Sequence, residues 1–367
     1  MARVQYLALP PDRRALAVSD IHGNLPYFRS LLQKVGFSEN DVLLVLGDFV
    51  EKGPYSLETL RYLMRLCERG NVYPLLGNCD GWYLDPDLAS PSMDRAVRRY
   101  VRAQKPGRSP GLLVQMCREA GFSLTEDFDM PALRAALGRH FSAELAFLHG
   151  LPHIIETEHF TFVHGGLPPG PSLEALNPWD CMKTNSFMTQ GRHFDKWVVV
   201  GHYPVVLYGT DRCAAAPVVD AESHIVSIDG GCVLKSDGQL NALLLPPGGG
   251  ADFDYIAYDR FPVYRALDAQ AEGDHSYYIR WGDSAVESLA PGPEFSRCRH
   301  IRTGYEMDIL TDTIFPAEDG ILHCDDCTDY VFPTRPGDEL SVVRETSRGF
   351  LAKRQSVSGW YRGRLEA

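Results

Sequence analysis

The chain has 367 residues, enough for two or three domains and a large core. Its formal net charge of -12, from 36 basic and 48 acidic side chains, argues against a general binder of nucleic-acid backbones, and no apolar run approaches the ~20 residues of a membrane helix. Nine scattered cysteines, and an N-terminal segment without a basic and then apolar pattern, indicate reduced thiols and a cytoplasmic location.

Residues 14–19 read as a short buried strand that delivers Asp20, in the motif Asp20-Ile21-His22-Gly23-Asn24. Leu25, Phe28, Leu31, Leu32 and Val35 then recur at helical spacing, and Gly36 ends that helix. Residues 41–46 form a second strand, ending at Asp48 in Gly47-Asp48-Phe49-Val50-Glu51-Lys52-Gly53-Pro54. Leu57, Leu60, Leu63, Met64 and Cys67 mark a second helix, closed by Gly70. Residues 72–76 make a third strand that leads into Gly77-Asn78-Cys79-Asp80. This β-α-β-α-β order predicts an α/β layered fold whose strand ends line one crevice.

Residues 82–150 change character, with helical periodicity over 93–104, 112–120 and 131–149, and predict a helical insertion beside that crevice. Its Arg95, Arg98, Arg99 and Arg102 read as a solvated helix face, the alternative being a cleft wall facing an anion. Strands return at 159–163, 196–200, 224–228 and 240–245, the first two feeding His164-Gly165-Gly166-Leu167 and Gly201-His202-Tyr203-Pro204. Pro246-Pro247-Gly248-Gly249-Gly250 is the best linker, and places a domain boundary at 246. Beyond it the chain is rich in Tyr, Val, Ile, Thr and turn residues, which predicts a β-rich segment at 251–319 and a further β module at 320–367.

Asp, His and Asn delivered from several strand ends suit a pair of hard divalent ions, which activate a water and clamp a phosphoryl oxygen. Asp48 is the natural bridging carboxylate; Asp20 and His22 would serve one ion, and Asn78, His164 and His202 the other. The donor mix favours manganese, with Fe, Zn, Ni or Co as alternatives, over calcium.

The five motifs, in this order, resemble the calcineurin-like metallophosphoesterase superfamily over roughly residues 13–245, and most closely its serine/threonine protein phosphatase-type branch. The resemblance implies a four-layered α/β/β/α sandwich and hydrolysis of a phosphoester by a metal-bridging hydroxide attacking in line. Departures from the family pattern are informative. Cys79 stands where the family has the histidine that protonates the leaving group, and a thiol is the weaker acid at neutral pH. Glu51 and Lys52 stand for the usual Asp and Arg, so a point charge replaces a guanidinium fork. A second family arginine follows a tryptophan after His-Gly-Gly; here Trp179-Asp180-Cys181 lacks it, with Lys183 or Arg192 as substitutes.

These changes tilt the expectation toward phosphodiesters, with a protein phosphatase or other phosphomonoesterase as the alternative and a non-catalytic scaffold as a third reading. Cys79, Asp80 and Lys52 are the expected catalytic residues, with Asn24, Lys183 and Arg192 contacting substrate. The tail resembles a bacterial SH3-like barrel over about 320–367, which implies a groove at Trp360 and Tyr361 for an extended, Pro-rich peptide. Cys298, His300, Cys324 and Cys327 are a candidate zinc set, but the Cys-x-His spacing is one residue short and favours unconnected thiols.

Overall fold

Short apolar runs alternating with amphipathic helices set the layers of the first 258 residues. The computed structural model describes residues 1–85, 87, 89–104, 109–125 and 127–366. Strand β1 (Val4–Tyr6) precedes β2 (Ala15–Val18), α1 (Leu25–Lys34), β3 (Val42–Leu46), α2 (Ser56–Cys67) and β4 (Val72–Leu75). β2 pairs with β3 and β3 with β4, all parallel. Both helices end as the glycines predict: Gly36 and Gly70 take φ of 63° and 75°, and Phe37 N–H reaches back to Leu32 O at 2.9 Å.

β2 and β3 are buried on both faces, so their side chains divide by parity. Leu16, Val18, Leu43 and Val45 join one core with α1 and α2 residues such as Phe28, Leu31, Leu60 and Leu63. Ala15, Ala17, Val42, Leu44 and Leu46 join a second core with Ile155, Phe162, Trp197, Val199 and Val226. Those partners come from β5 (Ile154–Glu156), β6 (Phe160–Val163), β7 (Trp197–Val200) and β10 (Ile225–Ser227), with β8 (Cys213–Ala214) and β9 (Val218–Asp220) lying between in sequence. The sheet orders are β1-β5-β6-β7-β10-β9 and β12-β11-β2-β3-β4, where β11 is Leu240–Leu244 and β12 is Asp254–Tyr258. A third core, with Val163, Val198, Val200 and Ile225 against Leu167, Leu176, Cys181 and Phe187, covers the outer face of the first sheet. Its helix is α7 (Pro178–Met182). Helix, sheet, sheet and helix thus stack as the expected four layers.

The insertion supplies α3 (Pro91–Arg102), α4 (Leu112–Glu119), α5 (Met130–His140) and α6 (Ser142–Gly150). The helix expected over 131–149 is broken at Phe141, whose backbone leaves the helical region (φ -133°, ψ 31°) while its ring is buried in the first core. Leu112, Leu113, Met116, Leu133 and Leu137 share that core. Arg61 of α2 ties the insertion down: Nε meets Glu144 Oε1 and Nη2 meets Glu119 Oε1, both at 2.7 Å.

The boundary differs from the expected 246. β12 lies beyond the linker and pairs antiparallel with β11, so the two-sheet unit runs to Tyr258. The second unit holds residues 205–216, 235–237 and 259 onward. In it, β13 (Val263–Ala266) pairs with β21 (Glu339–Thr346), followed by β22 (Gly349–Arg354) and β23 (Val357–Tyr361), which pairs with β8. The hairpin of β18 (Ile314–Pro316) and β19 (Leu322–Cys324) straddles residue 320. Residues 251–319 therefore do not form a module apart from 320–367.

Tyr361 does not line a groove. It is fully buried with Phe332 and Leu340, and its hydroxyl donates to Asp268 O at 2.9 Å. Trp360 is half-buried, with Nε1–H donating to Thr328 O at 2.8 Å. Nor do the four zinc candidates converge. His300 is engaged at Nδ1 by Thr303 and Tyr277 and at Nε2 by Asp283. Cys324 and Cys327 stand 3.8 Å apart, sulfur to sulfur. Among the described residues no helix is long and apolar enough to cross a membrane.

Candidate metal centre

The carboxyl ends of β2, β3, β4, β6 and β7 converge, and each hands its next residues to one point: Asp20 and His22, Asp48, Asn78, His164, and His202. The chain must turn sharply there to present both a strand end and its side chain. Asp20, His22, Asp48, Glu51, Lys52 and His202 all take φ between 49° and 69°, a region in which non-glycine residues are uncommon. Backbone bonds between loops hold the turns: His22 N–H to Asp48 O and Gly53 N–H to His22 O at 2.8 Å, and Gly201 N–H to His164 O at 2.9 Å. Gly77 lies so close to Asp48 that a Cβ there would overlap Asp48 Oδ1.

Asp48 is the shared element. Its oxygens stand 3.9 Å from His22 Nε2 and 3.3 Å from His164 Nε2, and it belongs to two donor groups, His22–Asp48–Cys79 and Asp48–His164–His202. Within each group the donor atoms lie within 4.8 Å of one another. Asn78 Oδ1 is 3.3 Å from His164 Nε2, and Asp20 Oδ1 is 3.6 Å from His22 Nε2. Outer contacts aim the rings. His164 Nδ1 bonds Leu46 O at 2.7 Å, and His202 Nε2 bonds Asn185 Oδ1 at 2.9 Å, which leaves the opposite nitrogen of each for the centre.

The electrostatics fit a cation. Asp20 Oδ1, Asp229 Oδ2 and His22 Nδ1 are buried without a hydrogen-bond partner. Burial pushes Asp20 up to about 6. Burial opposes a charge on His164, yet Asp48 and Asp20 hold its imidazole protonated, up to about 10. Burial and the His164 charge hold His202 down at about 3, so it stays a neutral imidazole. Three carboxylates around three histidines, with orphaned oxygens, are the donor set of divalent ions rather than of a packed core.

Asp80 is placed differently from the expectation that it serves the reaction. It is fully buried and accepts four backbone N–H groups: Asp48 and Gly77 at 2.7 Å, Phe49 at 2.9 Å and Val50 at 3.3 Å. It orients the loop that carries Asp48. Cys79 lies at the centre, donating its N–H to Asp48 Oδ1 at 2.8 Å, and burial and the Asp48 charge push its thiol well above the usual range. Lys52 is exposed, and its charge is felt at His22 and Cys79. Lys183 is exposed and its charge is felt at His202. Arg192 lies apart, its guanidinium 5.0 Å from the Phe194 ring in a cavity with Leu167, Leu173 and Leu176. Asn24 caps α1, Oδ1 accepting from Tyr27 N–H at 3.4 Å.

Three residues of the region escape a motif-based reading. Asp229 follows β10 in Asp-Gly-Gly, at a strand end like the other carboxylates, and burial and the Asp20 charge push its carboxyl well above the usual range. Asn185 carries no local signal. Glu51 proves to be an anchor: its carboxylate accepts from Tyr83 Oη, Tyr100 Oη and Leu112 N–H at 2.9 Å, which joins its loop to the insertion at the start of α4.

The family model for calcineurin-like phosphoesterases matches residues 13–257, and the chain belongs to that family, whose members use a dinuclear divalent metal centre. Similar proteins include the symmetrical bis(5'-nucleosyl)-tetraphosphatases of Shewanella loihica, 50% identical over 64 residues, and of Pseudomonas syringae, 48% identical over 65 residues. Each match covers 17% of this chain, and 23% and 22% of the relative, so the chain spans less than a quarter of their length. A solved structure of a putative diadenosine tetraphosphatase is similar over 71% of this chain and 100% of its own, at 21% identity and a TM-score of 0.42.

Proposed function

We propose that this calcineurin-like phosphoesterase cleaves nucleotide-type phosphodiesters or phosphoanhydrides at a two-ion centre. Asp20, His22 and Asp48 would hold one ion and Asp48, Asn78, His164 and His202 the other. The ions, manganese by preference, supply Lewis acidity and an activated water. Everything else falls to the chain. Asp80 and the Cys79 N–H fix Asp48 between the two donor groups. Lys52 and Lys183 offer mobile point charges to non-bridging oxygens, where a guanidinium fork would clamp a monoester dianion.

The observation that carries the preference is Cys79, a thiol within 4.8 Å of the His22 and Asp48 donor atoms at the place of the family's imidazole acid. The cluster's three imidazoles are all engaged in the donor set. A protonated thiol is a poor acid, so the substrate must bring a leaving group that departs without much help. A nucleoside phosphate or aryl diester does; a serine phosphate does not. The short matches to bis(5'-nucleosyl)-tetraphosphatases support the same substrate class.

The test compares manganese-supported hydrolysis of diadenosine tetraphosphate, bis-p-nitrophenyl phosphate and p-nitrophenyl phosphate by the wild type and Cys79→His. The reading expects the first two to be favoured by wild type, and Cys79→His to raise monoester turnover. A wild type that prefers the monoester, with no gain in the variant, returns the protein to the phosphomonoesterases.

A further inference from the structure

Two indoles stand at the rim of the metal centre, and nothing in the hydrolytic machinery uses them. Trp82 opens a tight turn just after the Asn78 loop, and its Nε1–H donates to Asn78 O at 2.9 Å, which fixes the ring on the segment that carries a ligand residue and Cys79. Trp179 sits on α7, and α7 is fastened to the His164 loop by Gly165 N–H to Cys181 O at 2.8 Å and Gly166 N–H to the same oxygen at 3.2 Å. The two ring centroids are 5.0 Å apart with planes inclined at 67°, an edge-to-face pair, and Tyr83 packs edge-on to Trp82 at 6.1 Å. Trp179 remains 39% exposed. A large apolar surface kept in water beside a catalytic centre is a cost that packing does not explain. Lys183, one turn further on, holds Nζ 5.5 Å from the Trp179 centroid, and its backbone nitrogen packs against Gly165, the residue after His164.

From this arrangement we infer that Trp82 and Trp179 form a stacking platform for a nucleobase, with Lys183 contacting the phosphate chain between that base and the reacting phosphorus. The inference rests on the nucleotide reading and gives it a recognition element. Aromatic faces hold bases by stacking without regard to hydrogen-bond pattern, so the platform selects nucleotides over simple phosphate esters. The position of Lys183 separates a nucleotide from a phosphotyrosine peptide. In a nucleotide, phosphate charge lies between the ring and the bond to be cleaved, where this ammonium stands; in phosphotyrosine, the ring bears the reacting phosphate directly.

Two measurements test the platform. In steady-state kinetics with manganese, Trp179→Ala raises KM for diadenosine tetraphosphate about 5- to 150-fold, far more than KM for inorganic tripolyphosphate, and Trp179→Phe restores most of the loss. In the metal-free protein, ADP quenches tryptophan emission saturably, ribose 5-phosphate does not, and Trp179→Ala removes most of the quench. An equal rise in KM for tripolyphosphate, or an ADP quench unchanged in the variant, overturns the platform. So does a phosphotyrosine peptide that quenches more tightly than ADP. If the wild type leaves diadenosine tetraphosphate intact, the substrate reading fails, and the quench titration still decides whether the indoles bind a base.

Discussion

Asp80 holds Asp48 from behind. Its Oδ2 accepts the Asp48 N–H at 2.7 Å while Oδ1 takes the N–H of Phe49 at 2.9 Å. The carboxylate is buried beside another carboxylate, and burial and the Asp48 charge push its pKa upward. Four N–H donors oppose that push and favour the charged form. Asp80 is thus a positioning residue that sets the left-handed turn through which the bridging carboxylate is offered.

Asp80→Asn tests that role. An amide keeps one acceptor oxygen and turns an NH2 toward N–H groups that need an acceptor, so at least one buried donor is left unpaired. The expected outcome is a loss of about 1–3 kcal/mol in stability, and manganese affinity lowered about 10- to 100-fold. Calorimetric titration with manganese and chemical denaturation measure the two. An unchanged affinity with lowered stability would make Asp80 a purely structural residue.

Much of this was legible beforehand because a ligand residue at a strand end leaves a compact signal: an apolar run, a glycine, then Asp, Asn or His. Asp48, Asn78 and His202 show it, and His164 follows its apolar run directly. Asp229 follows its strand without a glycine before it, and so reads as an ordinary turn. The anchoring role of Glu51 escapes the sequence for a physical reason. Its motif position suggests the phosphate-gripping loop, whereas its partners Tyr83, Tyr100 and Leu112 lie 32 to 61 residues away and no local spacing reports them. The burial of Tyr361 is hidden for a similar reason, since Trp-Tyr on a tail strand does not say which ring faces inward. The linker at 246–250 marks a turn rather than a boundary, because β12 returns to the sheet it left.

Glu51→Gln checks the anchor between the motif loop and the insertion. The buried carboxylate accepts from two tyrosine hydroxyls and from the Leu112 N–H. The amide can satisfy only part of that set, and the α4 start loses a negative charge that favours its N-terminus. Stability should fall by about 1–3 kcal/mol. Hydrogen exchange should speed up in residues 91–102 and 112–119 more than in β2 or β3. Uniform acceleration across the fold would mean that the insertion is held by its core residues alone.

Gly77→Ala separates a damaged site from a damaged fold. The added methyl overlaps the Asp48 carboxylate and backbone N–H, and both lie in a strained turn that cannot yield freely. The bridging group must move, so manganese binding and phosphoesterase activity should drop at least about 10-fold with the helix and sheet signal in circular dichroism kept. Retained metal binding in a folded Gly77→Ala protein would show that Asp48 is not the shared ligand.

Acid sensitivity has an identifiable source outside the metal centre. His153 precedes β5 and accepts the Arg3 N–H at Nδ1, 3.0 Å away, as only the neutral ring can. Burial, aided by the Arg3 charge, holds it down at about 4, against ~6.5 for a free imidazole. The unfolded chain therefore takes up this proton first as pH falls. The contribution is complete above ~6.5, declines by about 1.4 kcal/mol per unit below it, and is spent near pH 4, about 3 kcal/mol in all. His153→Gln keeps an acceptor for Arg3 and removes the titration. The stability difference between wild type and variant should shrink by that amount from pH 7 to pH 4, with the β1–β5 pairing loosening first in hydrogen exchange. Parallel stability curves across this window would place the acid sensitivity elsewhere.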